Sequence, residues 1–142
     1  MINKIKIIQN KLKSKFYFDY DISTKVWFRA GGNAKIFCIV YDTNELEIIL
    51  NCIKNFPYAL IGAGSNILVR DGGFDGIILK LGKNFNNITL SEASIEVGAA
   101  LLDVNLAKFA QLNSIKNFEF YSGIPGSIGG AVKMNAGCYG SE

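Results

Sequence analysis

Histidine is absent from the 142 residues, and that absence removes more chemistry than any other feature of the composition. Without imidazole the chain holds no Ser-His or Cys-His nucleophile pair, so a general base would have to be a carboxylate, a lysine or a tyrosine. Cys38, Cys52 and Cys138 are odd in number and form no C-x-x-C pair. Neither a zinc site nor a disulfide framework is expected, and no other metal. Cys38 lies in an apolar run and reads as core. Long apolar runs are missing as well. With no signal-type segment and no cleavage site, a cytoplasmic protein without membrane insertion is expected. A net charge of +3 with 19% charged residues is too modest for a nucleic-acid partner.

What remains is a chain of single-domain size, 49% apolar, with enough hydrophobic material for a core. Five lysines, from Lys4 to Lys15, precede the first acid, Asp19. Ile5, Ile8, Leu12 and Phe16 recur at helical spacing, predicting an amphipathic helix with its lysines in solvent. Lys25 to Arg29 reads as a short strand closed by Gly31 and Gly32, and Ala34 to Tyr41 as a longer one. Asp42 is placed to cap a helix with Glu45 at its third position, and the stripe Leu46, Ile49, Leu50, Ile53 carries that helix to about Asn55. Pro57 stops it, and Tyr58 to Ile61 is a further strand.

Thirteen of the fifteen glycines fall between Gly62 and Gly140. Ile67–Val69, Ile77–Leu81, Ile88–Leu90 and Ile95–Val97 read as short strands. Their connections are short, which predicts antiparallel pairing. Leu102 to Leu112 has a helical pattern. A boundary near Pro57 divides the chain into a lobe of residues 1–57 and a second of residues 58–142.

Two glycine-rich segments carry the chemistry. In Gly62-Ala63-Gly64-Ser65-Asn66 a strand runs into a tight curve whose backbone N–H groups could cradle a phosphate, with Ser65 and Asn66 adding donors. A plain turn is the competing reading. The segment fails the dinucleotide fingerprint, because Ile67 stands where a third Gly or Ala belongs and no acid lies between Gly76 and Ser91. A P-loop fails too, since Gly82-Lys83 is followed by Asn84. In Ile124-Pro125-Gly126-Ser127-Ile128-Gly129-Gly130, proline precedes a helix start with Ser127 as candidate cap. Gly129 and Gly130 lower helix propensity there, which points either to a ligand against the backbone or to close packing of the chain on itself.

Trp27-Phe28-Arg29-Ala30-Gly31-Gly32, Gly62 to Val69, Gly123 to Ala131 and Met134-Asn135-Ala136-Gly137-Cys138-Tyr139-Gly140-x-Glu142 stand in that order. Together they closely resemble the UDP-N-acetylenolpyruvoylglucosamine reductases, which make UDP-N-acetylmuramate for the bacterial cell wall. The resemblance implies an α+β fold, the FAD-binding domain of the vanillyl-alcohol-oxidase type. Its small α/β lobe would be followed by a larger antiparallel-sheet lobe, incomplete here. It implies FAD as cofactor, with Gly62, Ala63, Gly64, Ser65 and Asn66 at the pyrophosphate. Ile124, Pro125, Gly126, Ser127, Gly129 and Gly130 would lie along the flavin and its phosphates, and Asn135 to Gly137 would complete the wall. NADPH would reduce the flavin, which would pass hydride to UDP-N-acetylglucosamine enolpyruvate.

Members of that family are roughly twice this length, the extra part being of the size of a further substrate domain. Their catalytic arginine, proton-donating serine and late glutamate lie beyond Glu142. No catalytic residue is therefore expected within this chain, and Arg29 and Arg70, its two arginines, read as surface or flavin-edge charges. Another FAD oxidoreductase of the same fold and a catalytically inactive flavin-binding fragment remain as alternatives.

Overall fold

A computed structural model describes residues 1–141 and divides the chain into two compact units, Met1–Lys83 and Asn84–Glu142. Glu142 itself lies outside the described residues.

The first unit opens with helix α1 (Ile2–Gln9), followed by strand β1 (Lys15–Asp21). The helix is shorter than the spacing of Ile5, Ile8, Leu12 and Phe16 predicts. Phe16 belongs to β1, where Phe16, Phe18 and Tyr20 are half-buried while Lys15, Tyr17, Asp19 and Asp21 face outward. A period of two has taken over from a period of 3.6. A 3-10 turn, Ile22–Lys25, follows, its start capped by the Asp21 carboxylate on the Ser23 N–H at 2.9 Å. The strand expected at Lys25–Arg29 does not form; that stretch is this turn and the loop after it.

Strand β2 (Asn33–Val40) leads through Asp42 into helix α2 (Thr43–Ile53). The cap is made as predicted, with the Asp42 side chain accepting from the Glu45 N–H at 2.8 Å. Glu45 does not turn back on Asp42. Its carboxylate accepts from the backbone N–H groups of Lys13 and Ser14 and from the Ser14 hydroxyl, at 2.8, 2.7 and 2.6 Å. Burial works against its charge, yet these hydrogen bonds hold its pKa below the usual value.

Strands β3 (Tyr58–Ile61) and β4 (Phe74–Leu81) complete a four-stranded sheet of order β1-β2-β4-β3. Only β1 is antiparallel to its neighbour; β4 runs parallel to both β2 and β3. The antiparallel expectation for Ile77–Leu81 is thus corrected. Ile67–Val69 forms no strand, so residues 62–73 act as one connection long enough to bring β4 alongside β3 in the same direction. Ile77, Ile78 and Leu79 are all buried, as a central strand of a parallel sheet requires. Phe37 and Ile78 join Ile22, Val26, Ala34 and Ile61 in one core cluster. Alternation puts Ile36, Cys38 and Val40, also buried, on the other face of β2. Cys38 is core as expected, and burial, aided by the charge of Glu45, pushes its thiol up to about 12.

Because β3 and β4 pair within the first unit's sheet, the division by packing falls after Lys83 rather than after Pro57. The second unit holds an antiparallel hairpin of β5 (Ile88–Leu90) and β6 (Ile95–Val97). Helix α3 (Asp103–Leu112), a 3-10 turn at Glu119–Gly123 and helix α4 (Ile128–Met134) follow. Among the described residues no helix is long and apolar enough to cross a membrane, and no group of three or more Cys, Asp or Glu could hold a metal.

Candidate functional site

In the first unit β3 delivers the chain into the Gly62–Asn66 turn. Gly64 is buried at φ +78°, a conformation that side chains resist. Its missing Cβ makes room for the Lys25 carbonyl, and its own carbonyl accepts from the Trp27 N–H at 2.9 Å. The chain's own backbone therefore dictates this glycine. The Gly62 carbonyl accepts from the Lys80 ammonium at 2.5 Å. Ser65 and the exposed Asn66 make no side-chain hydrogen bond with the described residues, which leaves both available to a ligand.

Beside this turn lies a half-open cavity of about 530 Å³, walled by Lys25, Trp27, Arg29, Ala63 and Lys80 among others. Lys80 is half-buried, and burial together with the charge of Lys25 lowers its pKa. Lysine at the end of a strand gives no functional signal in a sequence, and neither Lys25 nor Lys80 was an expected site residue.

The second segment belongs to the other unit. Residues Ala99–Asp103 and Gly126–Gly129 run antiparallel, joined by Asp103 N–H to the Gly126 carbonyl (3.2 Å), Ile128 N–H to Leu101 (2.9 Å) and Gly129 N–H to Ala99 (2.9 Å). Ile124 and Gly126 are half-buried and Pro125 exposed. Ser127 stands at the N-cap of α4 as predicted, but its buried hydroxyl makes no capping bond and has no partner among the described residues. Asp103 is fully buried, and neither carboxylate oxygen has a hydrogen-bond partner among the described residues. Burial raises its pKa to about 6. A Cβ on Gly126 would come within 2.6 Å of that carboxylate, so Gly126 is the face on which the acid rests.

Gly129 has an internal partner too, since a Cβ there would lie 3.0 Å from both the Cβ and the carbonyl oxygen of Ala99. Gly130 is different: beyond its own helix backbone, the one atom of the described residues that its Cβ would meet within 4 Å is the Ser127 hydroxyl, at 3.3 Å. Asn135 ends α4 in the left-handed conformation (φ 47°, ψ 53°), and Gly137 is exposed beyond it. The residues singled out in the sequence thus fall into two groups, Gly62–Asn66 in one unit and Ile124–Gly137 in the other.

The first group adjoins a cationic cavity, and the second leaves a buried hydroxyl and a buried carboxylate without hydrogen-bond partners among the described residues. The class follows from comparison. Residues 34–142 match the FAD binding domain family, and the chain belongs to it, with FAD as its cofactor. Its relatives narrow the kind. The chain is 48% identical over 131 residues to the UDP-N-acetylenolpyruvoylglucosamine reductase of Rickettsia typhi, covering 92% of this chain and 44% of that protein. It is 45% identical to the reductase of the same name from Rickettsia akari, covering 96% of this chain and 46% of the relative. Among solved structures, it is similar to the UDP-N-acetylenolpyruvylglucosamine reductase of Thermus caldophilus, at 30% identity and a TM-score of 0.74. That match covers 92% of this chain and 45% of the other. The chain therefore spans somewhat less than half the length of the relatives it matches.

Proposed function

We propose that this chain is the FAD-binding portion of a cytoplasmic, NADPH-dependent reductase that converts UDP-N-acetylglucosamine enolpyruvate to UDP-N-acetylmuramate. The observation that carries the reading is the likeness at 48% identity to a reductase of that name over 92% of the chain. The two glycine segments and the cationic cavity agree with it. When bound, FAD supplies a two-electron carrier between the nicotinamide and the enolpyruvyl double bond.

The chain's own residues bind and orient. Ser65 and Asn66 offer free donors at the end of β3, and Lys80 fixes the Gly62 carbonyl while holding a positive charge at the cavity wall. In the second unit, Ile124 to Gly130 presents a stretch with little side-chain bulk, and Asn135 and Gly137 extend it. No residue here is assigned to proton delivery; that step, like substrate binding, belongs to the whole protein.

Calorimetric titration of the purified 142-residue chain tests the binding role. One FAD per chain is expected, with affinity reduced about 10- to 100-fold by Asn66→Ala through the loss of hydrogen bonds to a charged phosphate. Binding of NAD that is indifferent to Asn66→Ala, with no binding of FAD, overturns the reading.

A further inference from the structure

Gly72 is a glycine that the fold does not require. Apart from its chain neighbours, no atom of the described residues lies within 4 Å of a Cβ built on it, and its backbone is not left-handed. The glycines around it differ. Gly32 leaves room for the Asp71 carbonyl, and Gly73, at φ +70°, for that of Asn33. Residues 70–73 form a turn in which the Arg70 carbonyl accepts from the Gly73 N–H at 2.8 Å and from the Gly32 N–H at 2.9 Å. Asp71 and Gly72 stand exposed at its tip. Among the described residues the Asp71 carboxylate has no hydrogen bond or ion pair, and the Gly72 N–H has no acceptor.

Aspartate before glycine is a weak point of any chain, because glycine turns freely and puts no side chain in the way of its own nitrogen. The dipeptide occurs twice, at Asp71-Gly72 and Asp75-Gly76, and asparagine never precedes glycine. The second pair lies within β4. There the Asp75 carboxylate is paired with Lys35, Gly76 is buried, and a Cβ on Gly76 would collide with the Pro57 carbonyl. A strand between two partners holds its peptide planes in place, whereas an exposed turn tip opens locally with ease.

We propose that Asp71-Gly72 is a site of spontaneous covalent modification, the isomerisation of Asp71 to isoaspartate, and that the sheet spares Asp75-Gly76. The Gly72 nitrogen loses its proton and attacks Cγ of Asp71. The N–Cγ bond forms as a Cγ–O bond breaks, and one water leaves. The five-membered succinimide then takes water back at either of its carbonyls. Addition at Cγ restores aspartate. Addition at the main-chain carbonyl carbon leaves the chain running through Cβ and Cγ, with a free carboxylate on Cα. Water is the only co-reactant, and the mass is unchanged. In the product the oxygen that Gly32 accommodates belongs to a carboxylate instead of a peptide, and the backbone from Arg70 to Gly73 is longer by a methylene. Both changes act against the two hydrogen bonds on the Arg70 carbonyl, so the crossing of residues 31–33 with residues 70–73 is loosened.

The test ages the folded chain in warm neutral buffer, then denatures it and digests it with a protease that cuts before aspartate but not before isoaspartate. Cleavage before Asp71 is expected to fall with time while cleavage before Asp75 persists, at constant intact mass. Chains aged in denaturant should lose both cuts at similar rates, because the protection of Asp75 comes from the fold. Gly72→Ala, for which the structure has room, should melt no lower than the parent and lose the first cut several-fold more slowly. The aged parent should melt below the fresh one. In the folded chain, a cut before Asp71 that persists, or that is lost no faster than the cut before Asp75, overturns the inference. A Gly72→Ala chain that ages at the parental rate overturns it too. Sparing of Asp75 in denaturant overturns the role given to the sheet, and an aged chain that melts like the fresh one overturns the loosened crossing.

Discussion

Gly64 and Gly126 stand in two turns of similar composition, yet their surroundings are opposite. Gly64 sits at φ +78° with a backbone carbonyl where its side chain would be, and the neighbouring cavity carries three cations. Gly126 has no left-handed backbone, and what fills its side-chain space is a buried carboxylate with no hydrogen-bond partner among the described residues. Burial lowers the pKa of the lysine at the first turn and raises that of the acid at the second. A glycine-rich stretch thus has no single meaning. One turn needs glycine for the path of its own chain and gathers positive charge, and the other needs it for contact with an acid.

The largest effect should come from Gly64→Ala. The strained backbone costs about 1–2 kcal/mol and the collision with the Lys25 carbonyl about 1–3 kcal/mol more. Denaturant unfolding should show a loss of that combined order. A variant as stable as the parent would mean that the turn owes its glycine to a ligand after all, and the contrast with Gly126 would collapse.

Asp103 gives the next largest signal. Its carboxyl is raised from 3.8 to about 6 in the folded chain, so between these values the native state holds a proton that the unfolded state releases. The contribution of this group to stability is accordingly full below pH 4 and is lost as pH rises to 6, by on the order of 3 kcal/mol at about 1.4 kcal/mol per unit. Asp103→Asn should flatten that part of the profile. A parent chain and an Asp103→Asn chain with parallel profiles across pH 4–6 would show that the acid is paired in solution and would remove the electrostatic half of the comparison.

The smallest effects divide neighbours in α4. Gly129→Ala presses on Ala99 and should cost about 1–3 kcal/mol. Gly130→Ala meets one hydroxyl and should gain up to about 1 kcal/mol from helix propensity. Thermal melts with and without FAD sharpen this: a Gly130→Ala chain that keeps both its gain and the full cofactor increment places no cofactor against Gly130.

Much of this was legible beforehand, for identifiable reasons. Asp42 and Glu45 announced the start of α2 because capping is local chemistry. The two glycine segments stood out because departures from helix and strand propensity need a cause. Pairing was misread. Short apolar runs with turn residues between them look like hairpins, but counting Ile67–Val69 as a strand hid a connection long enough for parallel neighbours. The unbroken burial of Ile77, Ile78 and Leu79 was the signal for a central strand. Asp103 gave no sign at all. An aspartate in the first turn of a helix is ordinary, and only the packing of Gly126 against it makes it an orphan.

The position of β4 between β2 and β3 also sets an order of events during synthesis. The β1–β2 pair can close early, but the other edge of β2 and the whole of β3 wait for a strand that emerges last. Until residues 74–81 arrive, the nascent chain carries open strand edges, the kind of surface on which chains stick to one another. Arrival of β4 closes both at once, through parallel contacts that form slowly because they join distant parts of the chain. Chains cut short before Phe74 should therefore gather in inclusion bodies, and cuts after Leu81 should relieve this abruptly.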